Sequence, residues 1–160
     1  MTRLIVASDS HGRTKQLEQI YALHPEADRL IFLGDGAGDY ETIRSRHPQW
    51  PMIGVIGNND FGSTLPERTE LVIGPWRLLL VHGHRFGVRG TLRYLVDEAK
   101  QRKCNGVLYG HTHRPFCDKV EGIWVLNPGA VMDYDAPKYA VLDLGEENQF
   151  IANLTEFHYT

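Results

Sequence analysis

The chain reads as an α/β fold of two packed sheets with helices outside them. Three observations predict it. Five short apolar runs punctuate the chain and read as buried strands. Strand and helix patterns alternate in the first half, which favours parallel pairing with right-handed crossovers. In the second half, paired runs flank tight turns, as antiparallel hairpins do. Two packed mixed sheets with helices outside satisfy both halves.

The elements follow in order. A strand over 3–8 precedes a helix over 14–24, where Leu17, Ile20, Tyr21 and His24 share a face ahead of Pro25. A strand over 29–33 precedes a short helix over 40–46, which stops at His47-Pro48, and a third strand covers 52–56. Glu67–Ile73 and Trp76–Val81 flank Gly74-Pro75 as a hairpin. A helix over 91–103 carries Leu92, Leu95, Val96 and Ala99 on one stripe, read as core. Val107–Tyr109 is a further buried run. Phe116–Glu121 and Ile123–Leu126 flank Gly122, and Tyr139–Leu144 and Gln149–Glu156 flank a polar turn.

Size and composition set bounds. A length of 160 residues fits one domain, 1–160, with a sizeable core. No apolar stretch approaches a membrane span, and Met-Thr-Arg followed by a short strand-like run is not a secretory signal. Cys104 and Cys117 form no CxxC pair and read as small buried hydrophobes, so the expected compartment is the cytoplasm. A net charge of −3 argues against bulk binding to nucleic acid or an anionic membrane. An anionic substrate then needs a locally positive site.

Each of the five runs ends on a potential metal ligand. They lead to Asp9 and His11, to Asp35, to Asn58, to His82, and to His111 and His113. Ligands gather beyond the carboxyl ends of strands in layered α/β folds. If these strands share a sheet, all seven side chains arrive at one edge. Asp9 and His11, two apart in extended backbone, can reach one ion. Asp35, between glycines, has two oxygens and can bridge two cations. Asn58 offers a neutral amide oxygen. Taken singly, Asp-x-His is common by chance, and the Asp35 and Asn58 segments could be plain polar turns. Taken together at strand ends, they predict a bimetal site.

Imidazole, carboxylate and amide oxygen without thiolate suit Mn²⁺ first, with Ni²⁺, Fe²⁺, Zn²⁺ or Co²⁺ as alternatives. Two divalent ions bring +4 and Asp9 with Asp35 return −2, leaving about +2 if the histidines are neutral. Such a site attracts an anion. Two metals about 3.5–4 Å apart can activate a water and clamp phosphate oxygens, which favours phosphoester over peptide hydrolysis. Arg13, Arg85 and Arg114 lie just past ligand motifs and are candidate substrate-binding residues, the alternative being solvated loop arginines. Phe61 and Tyr134 sit in loops suited to set specificity and are read as packing aromatics, with stacking on a base as the alternative.

These residues carry a resemblance spanning nearly the whole chain. With Asp9-x-His11, Gly-Asp35, Gly-Asn58-x-Asp60, His82-Gly-His84, Gly-His111-x-His113 and the later Asn127-Pro128-Gly129, the chain resembles the calcineurin-like metallophosphoesterases, most closely their small bacterial and archaeal phosphodiesterase branch. The resemblance implies a four-layer α-β-β-α sandwich. It implies Asp9, His11, Asp35 and His113 around one metal, and Asp35, Asn58, His82 and His111 around the other. It places Asp60 behind the ligands and His84 beside them. Many members of the wider superfamily carry a histidine directly after the metal-binding Asn, thought to assist the leaving group. Here that place is Asn59, whose amide cannot act as a general acid, and the small phosphodiesterase branch is similar in this respect. His84 is the candidate substitute, the alternative being a loop histidine beside the site.

The expected function is a metal-dependent phosphodiesterase, in which a hydroxide at a dinuclear metal centre attacks phosphorus. Alternatives are a phosphomonoesterase or nucleotide pyrophosphohydrolase, a nuclease of short ends, and a non-catalytic protein-binding scaffold. The expected partner is a phosphodiester-containing small molecule or nucleotide, with no membrane, and exposed edge strands would permit a homo-oligomer.

Overall fold

Apolar side chains that alternate along strands must be covered on both faces, and two sheets with outer helices do this here. The computed structural model describes residues 1–158. In chain order the elements are β1 (Thr2–Ala7), α1 (Thr14–Ala22), β2 (Arg29–Phe32), α2 (Ala37–Arg46), β3 (Met52–Gly54), β4 (Arg68–Ile73), β5 (Trp76–Val81), α3 (Arg93–Gln101), β6 (Gly106–Leu108), β7 (Phe116–Val120), β8 (Ile123–Asn127), β9 (Lys138–Leu144) and β10 (Phe150–Glu156). One sheet has the order β10-β9-β1-β2-β3, the other β4-β5-β6-β8-β7.

The register sorts each strand's side chains into two faces. Leu4, Val6, Ile31 and Leu33 meet Leu78, Leu80, Leu108 and Leu126 between the sheets. Ile5, Leu30 and Phe32 face outward onto Leu17, Ile20 and Tyr21 of α1 and Tyr40 and Ile43 of α2. Leu79, Val81, Val107 and Val125 face outward onto Leu95, Val96 and Ala99 of α3. The result is the expected four-layer α-β-β-α sandwich.

The parallel pairing of β1, β2 and β3 agrees with the sequence expectation. The hairpins expected in the second half also form, as β4–β5, β7–β8 and β9–β10. β5, β6 and β8 run parallel, and antiparallel partners β4 and β7 close the two edges. The hairpin β9–β10 leaves the second half and joins β1 of the first sheet. Both sheets are therefore mixed. The crossover through α3 accounts for the parallel β5–β6 pair, because strand–helix–strand connections place their strands parallel.

Helix ends also move. α1 and α3 are each shorter than their patterns suggest, and α3 ends where Lys103 takes a left-handed conformation (φ 58°). α2 starts three residues earlier than expected, at Ala37. The Asp60 carboxylate accepts the backbone N–H groups of Asp35, Gly36 and Ala37 at 2.7–2.9 Å. This satisfies the N–H groups of Gly36 and Ala37 at the helix start from a distant loop. No helix among the described residues is long and apolar enough to cross a membrane.

Candidate metal centre

Because β1, β2 and β3 are parallel, as are β5 and β6, the residues that follow them emerge at carboxyl ends, of two packed sheets rather than of the one shared sheet the sequence suggested. The loops there are tied to one another by backbone hydrogen bonds. Asp9 N–H donates to Gly34 O, His11 N–H to Asp35 O, and Gly110 N–H to His82 O, all at 2.9–3.0 Å. His111 N–H reaches across the sheets to Asp9 Oδ2 at 3.1 Å. Gly110 is obligatory at this junction, since a Cβ there would lie 2.1 Å from Ser8 Oγ and 2.7 Å from Asp9 Oδ2.

Two groups of donor atoms result. Asp9, His11 and His113 form one, and Asp35, His82 and His111 the other, with the atoms of each group within 4.8 Å of one another. His113 Nε2 lies 3.1 Å from Asp9 Oδ1, and His111 Nδ1 lies 3.2 Å from His82 Nε2. Asp35 Oδ2 lies 3.3 Å from His82 Nε2 and 3.6 Å from His11 Nε2, so it touches both groups. Asp9, Asp35 and His82 are buried. The side chain of His82 is fixed by the contact of Nδ1 with Leu33 O at 2.7 Å, which directs Nε2 into the site.

The electrostatics of the cluster call for cations. Burial pushes Asp9 up, yet His11, His113, His82 and Ser8 together hold its carboxyl well below the usual range. Burial likewise opposes the ionised form of Asp35, and His82 with the Asn59 N–H outweighs it. The carboxylate of Asp9 raises His11 despite burial. Burial lowers His82, but Asp35 and Asp9 raise it overall. Two ionised buried carboxylates thus draw positive charge onto the histidines around them. Divalent cations fit that demand, and the nitrogen and oxygen donors suit transition metals of borderline hardness.

Backbone strain gathers at the same place. Asp9 (φ 55°), His11 (43°), Asp35 (60°), His111 (68°) and His113 (64°) all adopt left-handed conformations. Only Lys103, Glu121 and Asn148 do so among the other described non-glycine residues. Asp and His tolerate this region better than most residues, and such clusters mark functional sites.

The other residues singled out in the sequence fall as follows. Asn58 is exposed at the head of its loop. Asn59 clamps Asp35, donating its backbone N–H to Oδ1 at 2.9 Å and its amide Nδ2–H to Oδ2 at 3.0 Å. Asp60 lies behind the site and anchors the Asp35 loop through α2, as described above. His84 belongs to neither donor group, although its ring is 5.6 Å from His82 and 6.4 Å from His111. Arg85 is paired with Glu67 at 2.7 Å and is not free to meet an anion as it stands. Arg13 and Arg114 are exposed. Phe61 and Tyr134 are each 90% exposed, which corrects their reading as packing aromatics.

Two supporting residues had no role assigned in the sequence reading. Asp39 accepts bonds from Ser10 Oγ, Gly12 N–H and Thr14 Oγ1, and so shapes the loop carrying Asp9 and His11. Asn127 donates to Gly110 O and Thr112 Oγ1, which braces the His111–His113 segment. The Asn127-Pro128-Gly129 motif had pointed to Asn127 without a role. No local signal points to Asp39, whose partners are distant in sequence.

Comparison with known proteins agrees with this arrangement. The calcineurin-like phosphoesterase superfamily domain matches residues 2–147. A probable metallophosphoesterase of Mycoplasma pneumoniae is 31% identical over 166 residues, covering 99% of this chain and 98% of that protein. Phosphodiesterase YfcE of Escherichia coli is 30% identical, covering 82% of this chain and 80% of its own. The crystal structure of a conserved protein from Streptococcus pneumoniae, described as a predicted phosphoesterase, superposes with a TM-score of 0.81 at 25% identity, covering 97% of this chain and 89% of that one. The chain belongs to the calcineurin-like phosphoesterase superfamily and is a hydrolase of phosphate esters.

Proposed function

We propose that this chain hydrolyses phosphodiesters with two divalent cations, Mn²⁺ foremost, held at the shared strand edge. The observation that carries the reading is the position of Asp35, within 3.6 Å of a histidine nitrogen from each donor group. Asp9, His11 and His113 would hold one cation, and His82, His111 and Asn58 the other, with Asp35 between them. Bound there, two divalent cations supply an activated water and a clamp on phosphate oxygens. The naming of a relative as a phosphodiesterase supports diesters as the substrate.

The chain's own residues set the rest. Asn59 holds both oxygens of Asp35, and Leu33 O holds the ring of His82, which orients these two donors toward the site. No strong acid stands ready for the leaving group. Burial, with the charges of His82 and Arg85, holds His84 below its ordinary range, which leaves it short of a proton at neutral pH. Diesters with good leaving groups are therefore favoured over alkyl esters. If His84 does protonate the leaving group, His84→Gln loses more rate on alkyl than on aryl diesters; an equal loss rejects that role.

Hydrolysis of bis-p-nitrophenyl phosphate by metal-stripped protein, with and without added Mn²⁺, tests the proposal. Activity restored by Mn²⁺ and missing in Asp35→Asn is expected. A folded protein that stays inactive with every divalent ion tried, and retains none, would favour the scaffold alternative.

A further inference from the structure

A groove of about 620 Å³ opens beside the candidate metal centre, a size that suits a small ligand. Thr112, the residue between His111 and His113, lines it, while the donor residues themselves do not. Arg89 and Arg114 line it as well, and no carboxylate does. Both arginines are exposed, and neither side chain makes an ion pair or hydrogen bond among the described residues. Elsewhere Arg3, Arg46, Arg68, Arg77, Arg85 and Arg102 are committed to carboxylates. On a chain of net charge −3, a groove bearing two uncommitted guanidinium groups is a local reversal of sign. Leu92 and Phe116 add an apolar wall.

We propose that this groove is a second anion site of the same active site. It takes a phosphate carried on one ester arm of the substrate, beside the phosphodiester to be cleaved. Guanidinium groups bind phosphate oxygens through paired N–H donors. The apolar wall suits the sugar or base that links the two phosphates. The inference rests on the phosphodiesterase reading and narrows its substrate class to diesters bearing a second phosphate.

The test compares thymidine 5′-(p-nitrophenyl phosphate) with the same ester carrying a 3′-phosphate, using Mn²⁺-loaded protein. The leaving group is identical, so only the second anion differs. The native protein should show a kcat/KM roughly tenfold higher for the 3′-phosphorylated ester. Arg89→Gln combined with Arg114→Gln should bring that ratio to about one. A native ratio near one, or a ratio that survives in the variant, overturns the proposal. Calorimetric binding of thymidine 3′,5′-bisphosphate to native and variant protein runs beside it. Binding that weakens by about the same factor in the variant supports the groove even if neither ester is cleaved, an outcome that would count against the diesterase reading alone. Equal binding by both proteins overturns the groove.

Discussion

The two ends of the sandwich solve the same geometric problem with different residues. At the amino ends of the parallel strands the chain reverses in three hairpin turns, and left-handed backbone falls on Gly74, Glu121-Gly122 and Asn148. At the carboxyl ends it falls on Gly12, Gly34, Gly83 and Gly129, and in addition on Asp9, His11, Asp35, His111 and His113. Glycine enters that region at little cost, whereas other residues give up about 1–2 kcal/mol, Asn, Asp and His less than most. The turn end is built for folding. The other end accepts strain and buried charge to aim five side chains at one place, as functional sites do.

That contrast can be broken at the site end first. Replacing Asp9 by Asn should lower kcat/KM on an aryl phosphodiester by at least about 100-fold, because it removes one of two buried anionic donors. Steady-state kinetics on the Mn²⁺-loaded protein reads this, and a loss under about fivefold would detach Asp9 from the chemistry. Gly110→Ala follows. Its Cβ would press on Ser8 Oγ and Asp9 Oδ2, so urea unfolding should show a loss of about 1–3 kcal/mol together with reduced activity. Its counterpart at the turn end is Gly122→Ala, where no atom lies within 4 Å but φ is +84°. A loss of about 1 kcal/mol with unchanged kcat/KM is expected there. Similar activity in the two glycine variants would erase the distinction between the ends.

Legibility in the sequence divides along the same line. Apolar runs announced the strands, and a potential ligand at the end of each announced the site, because both signals are local. Asp39, Asn59 and Asp60 act through hydrogen bonds to residues 23 or more positions away, and no spacing rule reports such bonds. The early start of α2 was hidden for that reason. The parallel pairing of β5 with β6 was legible in principle, since a helix between two buried runs is the signature of a crossover. Hairpin signals on either side obscured it.

The smallest effect sharpens the turn end. Arg3 and Asp143 lie opposite each other on β1 and β9, with Arg3 Nε 2.9 Å from Asp143 Oδ1. The guanidinium holds the Asp143 carboxyl below its ordinary range. A lowered folded pKa means the contribution is present above the unfolded carboxyl value, near 3.9, and is lost as pH falls through the folded value. Thermal melts of Asp143→Asn should therefore differ slightly from native at pH 6 and converge with it in strong acid, while a gap that widens as pH falls would contradict the assignment. The Arg3 side chain is part-exposed, so the difference is small.

The central claim is that the strained end is a two-cation site, and the most direct test is stoichiometry. Metal-stripped protein is reloaded with Mn²⁺, freed of excess ion, and its bound metal is counted per chain by mass spectrometry of the elements. Two ions per chain in the native protein, with a marked loss in Asp35→Asn, is the predicted result. Native protein that retains no Mn²⁺, or the same content in Asp35→Asn as in native, would contradict it.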